Sequence, residues 1–248
     1  MCTVSFLPMR WGFVLAMNRD EQKSRPRAHA PRRHRSGPRA ALYPSEPGGG
    51  TWIGVNDAGL TLALINWYAK PQRDRSLCIS RGVIIPRLLG CETIEDAGRA
   101  LADLPLSQIN PFRLIVVSLR ERGLREWRWD GAVLECRRPG WKRRHWFSSG
   151  LDEAGANRKR AAMVREAAGG KTAETPAWLR TLHRGHRPEK GAYSICMHRE
   201  DAQSVSYTEI VGDGQGAVMR YAAGSPCAKR IGGPRLLPFA SEAAAQPR

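Results

Sequence analysis

Short apolar runs with strand-like patterning and runs with helical spacing come in separate blocks along this chain, which narrows the ways that sheet and helix can be layered. Thr3 to Phe6 and Phe13 to Met17 are two apolar runs joined by Leu-Pro-Met-Arg-Trp-Gly, which predicts a hairpin ending with Cys2 and Asn18 near each other. Thr51 to Val55 and Leu60 to Ile65, separated by Asn56-Asp57-Ala58-Gly59, predict a second hairpin whose returning strand delivers Asn66 at its end. Helices are expected over 81–89 and 93–104, the second opening with the capping-box-like Thr93-x-x-Asp96. Strands follow at Phe112 to Leu119, Leu124 to Trp129 and Ala132 to Arg137, with a turn at Asp130-Gly131. Further helices are expected from Glu153 to Ala168 and from Thr175 to His183, where Pro176 suits the first helical position. Strands at Ala192 to Met197, Ser204 to Val211 and Ala217 to Tyr221 close the chain. Blocks of this kind favour an α+β fold with helices covering antiparallel sheets over a doubly wound parallel sheet.

The 248 residues are 42% apolar, enough for a substantial core, and no Ser/Gly-rich or acidic linker separates two patterns. A single domain over 1–248 is therefore expected, with 237–248 as a flexible tail. The net charge of +17 raises nucleic acid or an anionic surface as a partner. Its dense part, Lys23 to Arg39, is broken by Pro26, Pro31 and Pro38 and lacks apolar periodicity. It is read as a solvated basic loop over 23–47 rather than a groove-reading helix, with an anion-binding surface as the alternative. Gly48-Gly49-Gly50 is not followed by the Gly-Lys-Ser/Thr of a phosphate loop. The six cysteines contain no Cys-x-x-Cys pair, so the expectation is free thiols, no disulfide framework and no metal site. No apolar run approaches the about 18 residues of a membrane span, and Leu7 to Met17 is interrupted by Arg10 and Gly12, unlike a signal-peptide core. These features predict a cytoplasmic protein.

Cys2 carries the most chemistry for its position. Removal of Met1 before a small residue leaves a terminal cysteine with a thiol and an α-amine whose unperturbed pKa, about 7.7 to 8.0, lets it act as a base near neutrality. One residue then supplies both nucleophile and proton acceptor. The hairpin places Asn18, Arg19 and Asp20 within reach of Cys2. Asp20 would hold the amine or the thiol proton, and Arg19 would depress the thiol pKa or bind an anionic substrate. An Arg19–Asp20 ion pair that only closes the hairpin is the structural alternative.

Met-Cys-x-x-x-Phe, Ala16-Met17-Asn18-Arg19-Asp20-Glu21 with Ser24-Arg25-Pro26, Gly49-Gly50-Thr51-Trp52-Ile53-Gly54-Val55-Asn56 and Ser80-Arg81-Gly82 resemble the NRDE family, also called the transport and Golgi organisation protein 2 family. The stretch Gly191 to Arg199 and Val205-Ser206-Tyr207-Thr208 is similar to its C-terminal part. More distantly, the chain resembles the bile-salt hydrolase and penicillin acylase group of N-terminal-nucleophile hydrolases. That group also opens with Met-Cys, has Arg and Asp at the end of the first hairpin, and has a turn like Gly54-Val55-Asn56-Asp57-Ala58-Gly59-Leu60 leading to an Asn. The resemblance implies a four-layer αββα sandwich with Cys2 as nucleophile, Asp20 as orienting carboxylate, Arg19 as a nearby cation and Asn66 as oxyanion donor. Asn18 completes the candidate catalytic set. The second site Asn of those enzymes would fall near Ser148-Ser149, and no counterpart of their late Arg stands near Ser204 to Thr208. Trp67, Arg81, Ser149, His183 and His198 are the candidate substrate contacts.

Two functions follow. One is a cysteine amidohydrolase or acyltransferase acting on a small non-peptide amide and requiring no cofactor. The other, which the resemblance to the NRDE family implies, is non-catalytic binding or trafficking of haem or an acyl lipid. His183, His186, Cys196 and His198 are candidate iron or metal ligands for it, although their spacing matches no standard zinc pattern. In both cases the partner is a small molecule, to which the arginines would suit an anionic group, and not nucleic acid.

Overall fold

A computed structural model describes residues 2–169, 175–187 and 189–240. In chain order the strands are β1 (Cys2–Met9), β2 (Gly12–Gln22), β3 (His29–Ser36), β4 (Arg39–Ser45), β5 (Ile53–Asn56), β6 (Leu60–Asn66), β7 (Phe112–Ser118), β8 (Gly123–Trp129), β9 (Leu134–Arg137), β10 (Arg144–Ser148), β11 (Ala202–Asp213), β12 (Gly216–Ala223) and β13 (Arg235–Pro238). The α-helices are α1 (Ile84–Leu88), α2 (Ile94–Ala102), α3 (Glu153–Ala167) and α4 (Pro176–Arg184). The strands form two antiparallel sheets, ordered β10-β1-β2-β11-β12-β13 and β3-β4-β5-β6-β7-β8-β9.

Alternation along the strands sets the layers. On β1 and β2, Cys2, Val4, Phe6, Phe13, Leu15 and Met17 face the second sheet and meet Ile53, Val55, Ala63, Ile65, Ile115 and Val117 in one buried cluster. Leu7, Val14 and Ala16 point the other way, onto Met163 and Val164 of α3 and Trp178, Leu179 and Leu182 of α4. In the second sheet Leu60, Leu62, Leu114 and Val116 face outward onto Ile84, Ile85, Leu88, Ala97 and Leu101 of α1 and α2. Helix, sheet, sheet and helix therefore stack in the order expected of an αββα sandwich. On β6 and β7, inside the second sheet, most residues are apolar because both faces of that sheet are covered. The Thr93–Asp96 capping box forms as read, with Thr93 Oγ1 accepting from Asp96 N at 3.0 Å and Asp96 Oδ2 from Thr93 N at 3.2 Å.

Three expectations are corrected. The 23–47 segment is not a basic loop but contains β3 and β4. β3 is the edge strand of its sheet, mostly exposed, with Pro31 inside a register shift between His29 and Arg32, so its arginines reach solvent and its proline removes no central-ladder bond. The expected flexible tail does not begin at 237. Leu237 is 2% exposed, pairs with Ala217 and enters the inter-sheet core, while 241–248 lies outside the described residues. Ala192 to Met197 is not a strand: Ile195, Cys196 and Met197 are buried consecutively, and Cys196 N donates to Gly185 O at 3.0 Å instead of to a sheet.

Between the first sheet and α4 runs a buried polar chain. Asn18 Nδ2 donates to His183 O and Ile195 O at 2.8 and 2.9 Å, so its Oδ1 is left to accept from His183 Nδ1 at 3.0 Å. His183 Nε2 is then an acceptor for Ser5 Oγ at 2.9 Å, and Ser5 Oγ accepts in turn from His145 Nδ1 at 2.8 Å. Both imidazoles are thus neutral Nδ1–H tautomers. Burial drives His183 down to about 3, with His145 and Arg160 adding to the effect, and burial with Arg143 drives His145 down to about 4. The unfolded chain protonates first as pH falls below the ordinary histidine value of about 6.5, so the stability these neutral rings supply is present above that pH and lost as pH falls toward 4 and 3. Urea denaturation at pH 7 and pH 4.5 should give a lower midpoint at pH 4.5, and His145→Phe, which removes one titrating ring, should flatten the difference.

Candidate active site

Cys2 begins β1 between two neighbours, its Cα paired with Arg19 of β2 and Ser148 of β10. Its side chain lies on the inner face and borders a cavity of about 210 Å³ whose lining includes Arg19, Asp20, Trp52, Asn66 and Arg81. Asn66 ends β6 in the other sheet, so the two hairpins deliver their terminal residues to one cavity from opposite layers. Asn66 Nδ2 donates to the Tyr68 hydroxyl at 2.7 Å, which uses one of the two N–H bonds on that amide.

Asp20 is held from two sides. β11 carries a bulge opposite β2, with Ser204 pairing with Asp20 but Ser206 with Arg19. The Ser204 hydroxyl donates to Asp20 Oδ1 at 2.6 Å. On the other oxygen, Arg160 Nη2 of α3 approaches Oδ2 at 3.4 Å, and neither side chain has any exposed surface. Arg160 Nη1 reaches Thr3 Oγ1 at 3.1 Å and Cys2 O at 3.3 Å. Sequence reasoning missed Arg160. The signal was available: Ala156, Met163 and Val164 are buried on α3, and position 160 shares their helical face, whereas a charge there needs a buried partner.

Several effects compete at the Cys2 thiol. Burial raises its pKa, as does the Asp20 carboxylate, while the Asp20 N–H and the Arg19 guanidinium lower it; burial wins and the thiol is protonated at neutral pH. Arg19 acts in the expected direction but is outweighed by burial. Its guanidinium stacks 4.4 Å from the Trp52 ring centroid and pairs with Glu21 at 3.3 Å and with Glu46, a carboxylate it shares with Arg25. Arg19, Arg25 and Arg81 on the cavity wall face Asp20, Glu21 and Glu46, three cations against three carboxylates, so the strongly basic chain has a charge-balanced cavity here.

Of the other expected residues, Arg81 lines this cavity and donates to Pro111 O at 2.8 Å. Asn18 does not line it: one position from Arg19, it faces the helix layer and fixes His183 and Ile195. His183 is fully buried in the same layer, so its assignment to substrate contact is corrected to a structural one. Trp67 lies outside the cavity with Lys70 and Arg128 over its ring at 5.1 and 5.8 Å. Ser149 also lies outside, its Oγ accepting from Leu151 N at 3.3 Å, whereas Ser148 is the cross-strand neighbour of Cys2 and its buried hydroxyl has no hydrogen-bond partner. His198 stands apart, with Nε2 3.5 Å from Cys196 Sγ and 3.4 Å from Cys227 Sγ.

The model of the family described as Transport and Golgi organisation 2 matches residues 1–132, which contain Cys2, Arg19, Asp20, Asn66 and Arg81. The chain belongs to the Transport and Golgi organisation 2 family. No curated protein matches it. Among solved structures, a mutant of the conjugated bile acid hydrolase from Clostridium perfringens is 9% identical with a TM-score of 0.54, covering 98% of this chain and 97% of that one. Penicillin V acylase from Agrobacterium tumefaciens is 12% identical with a TM-score of 0.51, covering 93% of this chain and 84% of its own. The fold of this member of the Transport and Golgi organisation 2 family is that of N-terminal-nucleophile hydrolases. Within it, Arg160→Leu strips Asp20 of its buried counter-charge. The variant should lose about 3–5 kcal/mol of stability, read as a lower urea midpoint, and Arg160→Leu combined with Asp20→Leu should recover part of that loss.

Proposed function

We propose that the chain, once Met1 is removed, is an N-terminal-nucleophile cysteine hydrolase acting on the C–N bond of a small non-peptide acyl amide. The observation that carries this reading is the place of Cys2 at the head of β1, its side chain bordering a cavity with a doubly held Asp20 and with Asn66 from the opposite sheet. Because burial keeps the thiol protonated, attack needs a base at the moment of reaction, and the freed α-amine of Cys2 is that base. In the proposed sequence Cys2 Sγ bonds to the amide carbonyl carbon while its proton passes to the α-amine. Asn66 Nδ2 offers its second N–H to the oxyanion, and Asp20 orients the charged amine. Collapse breaks the C–N bond, the departing amine takes the proton, and water hydrolyses the thioester.

The cavity is smaller than the roughly 300–1,000 Å³ usual for ligand sites, which favours a small group at the reacting carbon. A neighbouring cavity of about 470 Å³ shares Arg19, Glu21 and Arg25 with it and offers room for the remainder of a substrate. Charge balance around Cys2 favours a neutral amide over the anionic substrate that composition suggested. The alternative, carriage of haem or an acyl lipid, loses one of its four candidate iron ligands, since His183 is fully buried and bonded to Asn18 and Ser5. No helix among the described residues is long and apolar enough to cross a membrane. Free thiols throughout the described cysteines suit a reducing compartment, and the cytoplasm is the proposed location.

Intact-mass analysis of the protein mixed with a panel of small acyl amides tests the reading. Loss of Met1 and a transient acyl adduct on Cys2 are expected. Cys2→Ala should abolish adduct and turnover while keeping the wild-type circular dichroism, and Asn66→Ala should lower kcat by about 10²–10³-fold. Turnover that survives Cys2→Ala contradicts the proposal.

A further inference from the structure

Four side chains that the proposed reaction does not use converge behind Asp20. One ring nitrogen each from His186 and His198 and the sulfurs of Cys196 and Cys227 all lie within 4.8 Å of one another. They come from three segments: the residue pair just past α4, the stretch before β11 and the turn after β12. Three of them, His186, Cys196 and His198, are among the candidate ligands read from the sequence, and Cys227 joins them from a distant segment. We propose that His186, Cys196, His198 and Cys227 form a structural site for a zinc-class divalent cation.

Distances support a metal over a chance meeting of thiols and rings. Tetrahedral bonds of about 2.3 Å to sulfur and about 2.0–2.1 Å to nitrogen set neighbouring S and N donors about 3.6 Å apart. His198 Nε2 lies 3.5 Å from Cys196 Sγ and 3.4 Å from Cys227 Sγ. The His186 and His198 ring centroids are 5.1 Å apart at 58°, so the rings do not stack. His186 Nε2 is buried without a hydrogen-bond partner. The surroundings are built to hold the donors: Cys196 N donates to Gly185 O at 3.0 Å, His198 pairs with Gln203, and the turn carrying Cys227 is closed by Ala228 N to Ser225 O at 2.9 Å.

Chemistry and packing narrow what the site takes. Two thiolates and two neutral imidazoles balance a divalent charge, with two thiol protons released on binding. A Cys2His2 donor set selects zinc-class ions over calcium or magnesium. Four protein donors leave no open position, which marks a structural rather than a catalytic centre, and donors this close leave no room for a porphyrin between them. The site lies next to the shell of Asp20, because Ser204, whose hydroxyl donates to Asp20, also receives Met197 N on its Oγ at 2.9 Å. A metal here clips the three segments together beside the carboxylate without touching substrate.

The test uses the full chain without a histidine tag, purified from zinc-supplemented cells. Elemental analysis should find close to one zinc per chain. Replacement by Co²⁺ should give the visible bands of a tetrahedral ion together with thiolate-to-cobalt charge transfer in the near ultraviolet. Cys227→Ser should lose the charge-transfer intensity of one sulfur and most of the bound metal, whereas Cys91→Ser, outside the cluster, should keep both. Should Cys227→Ser fail to fold, the wild-type stoichiometry and cobalt spectrum still decide the matter. Wild-type protein with little metal and no thiolate charge transfer overturns the proposal, as does a mass 2 Da lower that maps to a Cys196–Cys227 disulfide. These readouts do not depend on turnover at Cys2.

Discussion

The guanidinium of Arg160 is the interaction on which the rest of the candidate site depends. It is fully buried, and its nitrogens reach α3's neighbours on three strands: Cys2 and Thr3 on β1, Asp20 on β2 and Ser148 O, at 3.5 Å, on β10. Taking such a group out of water is costly, and only an opposing charge and several acceptors in fixed places make it tolerable. The same contacts define where β1 starts. Cys2 is therefore held by its carbonyl from below, with its side chain directed to the cavity, and Asp20 is fixed by the cation that fixes Cys2.

That arrangement shapes the chemistry at Cys2. A buried thiol next to a carboxylate is a poor acid, and the nearby Arg19, which also pairs with Glu21, Glu46 and the Trp52 ring, does not offset burial. A cysteine of this kind cannot rest as a thiolate as an activated Cys–His pair does. It gains a nucleophile only when a base sits on the same residue, which is what a free amino terminus supplies. The proposed mechanism, the amine-assisted thiol, rests on this electrostatic setting. The charge-balanced cavity explains why the basic composition of the chain says little about the substrate.

How far the sequence revealed this depends on the kind of interaction. The hairpins carrying Cys2, Asp20 and Asn66 were legible because each pairs two short, largely apolar stretches across a short turn. β3 was not, because an edge strand with arginines on its solvent side looks like a loop, and Pro31 is tolerated at that edge inside the register shift. Arg160 was hidden among Arg158 and Lys159, distinguishable only by the buried face it shares with Ala156 and Met163. Asn18 and His183 stand out as polar residues in the sequence, which does not show which way they face. Strand alternation turns Asn18 away from Cys2, and His183 follows it into the layer beneath α4. His186, Cys196 and His198 stand out in the sequence as candidate ligands, but Cys227 joins them only through the meeting of distant segments, which local patterns do not encode.

The pH dependence of Cys2 alkylation in protein whose mature terminus is Cys2 bears most directly on the central claim. Cys91, whose pKa burial also raises, serves as the internal reference because no amine is attached to it. The account predicts that Cys2 reacts with iodoacetamide along a curve rising near the α-amine pKa, about 7.7 to 8.0, while Cys91 reacts only at higher pH. A Cys2 curve that rises together with that of Cys91 would contradict it, since the amine would then not be serving as the base.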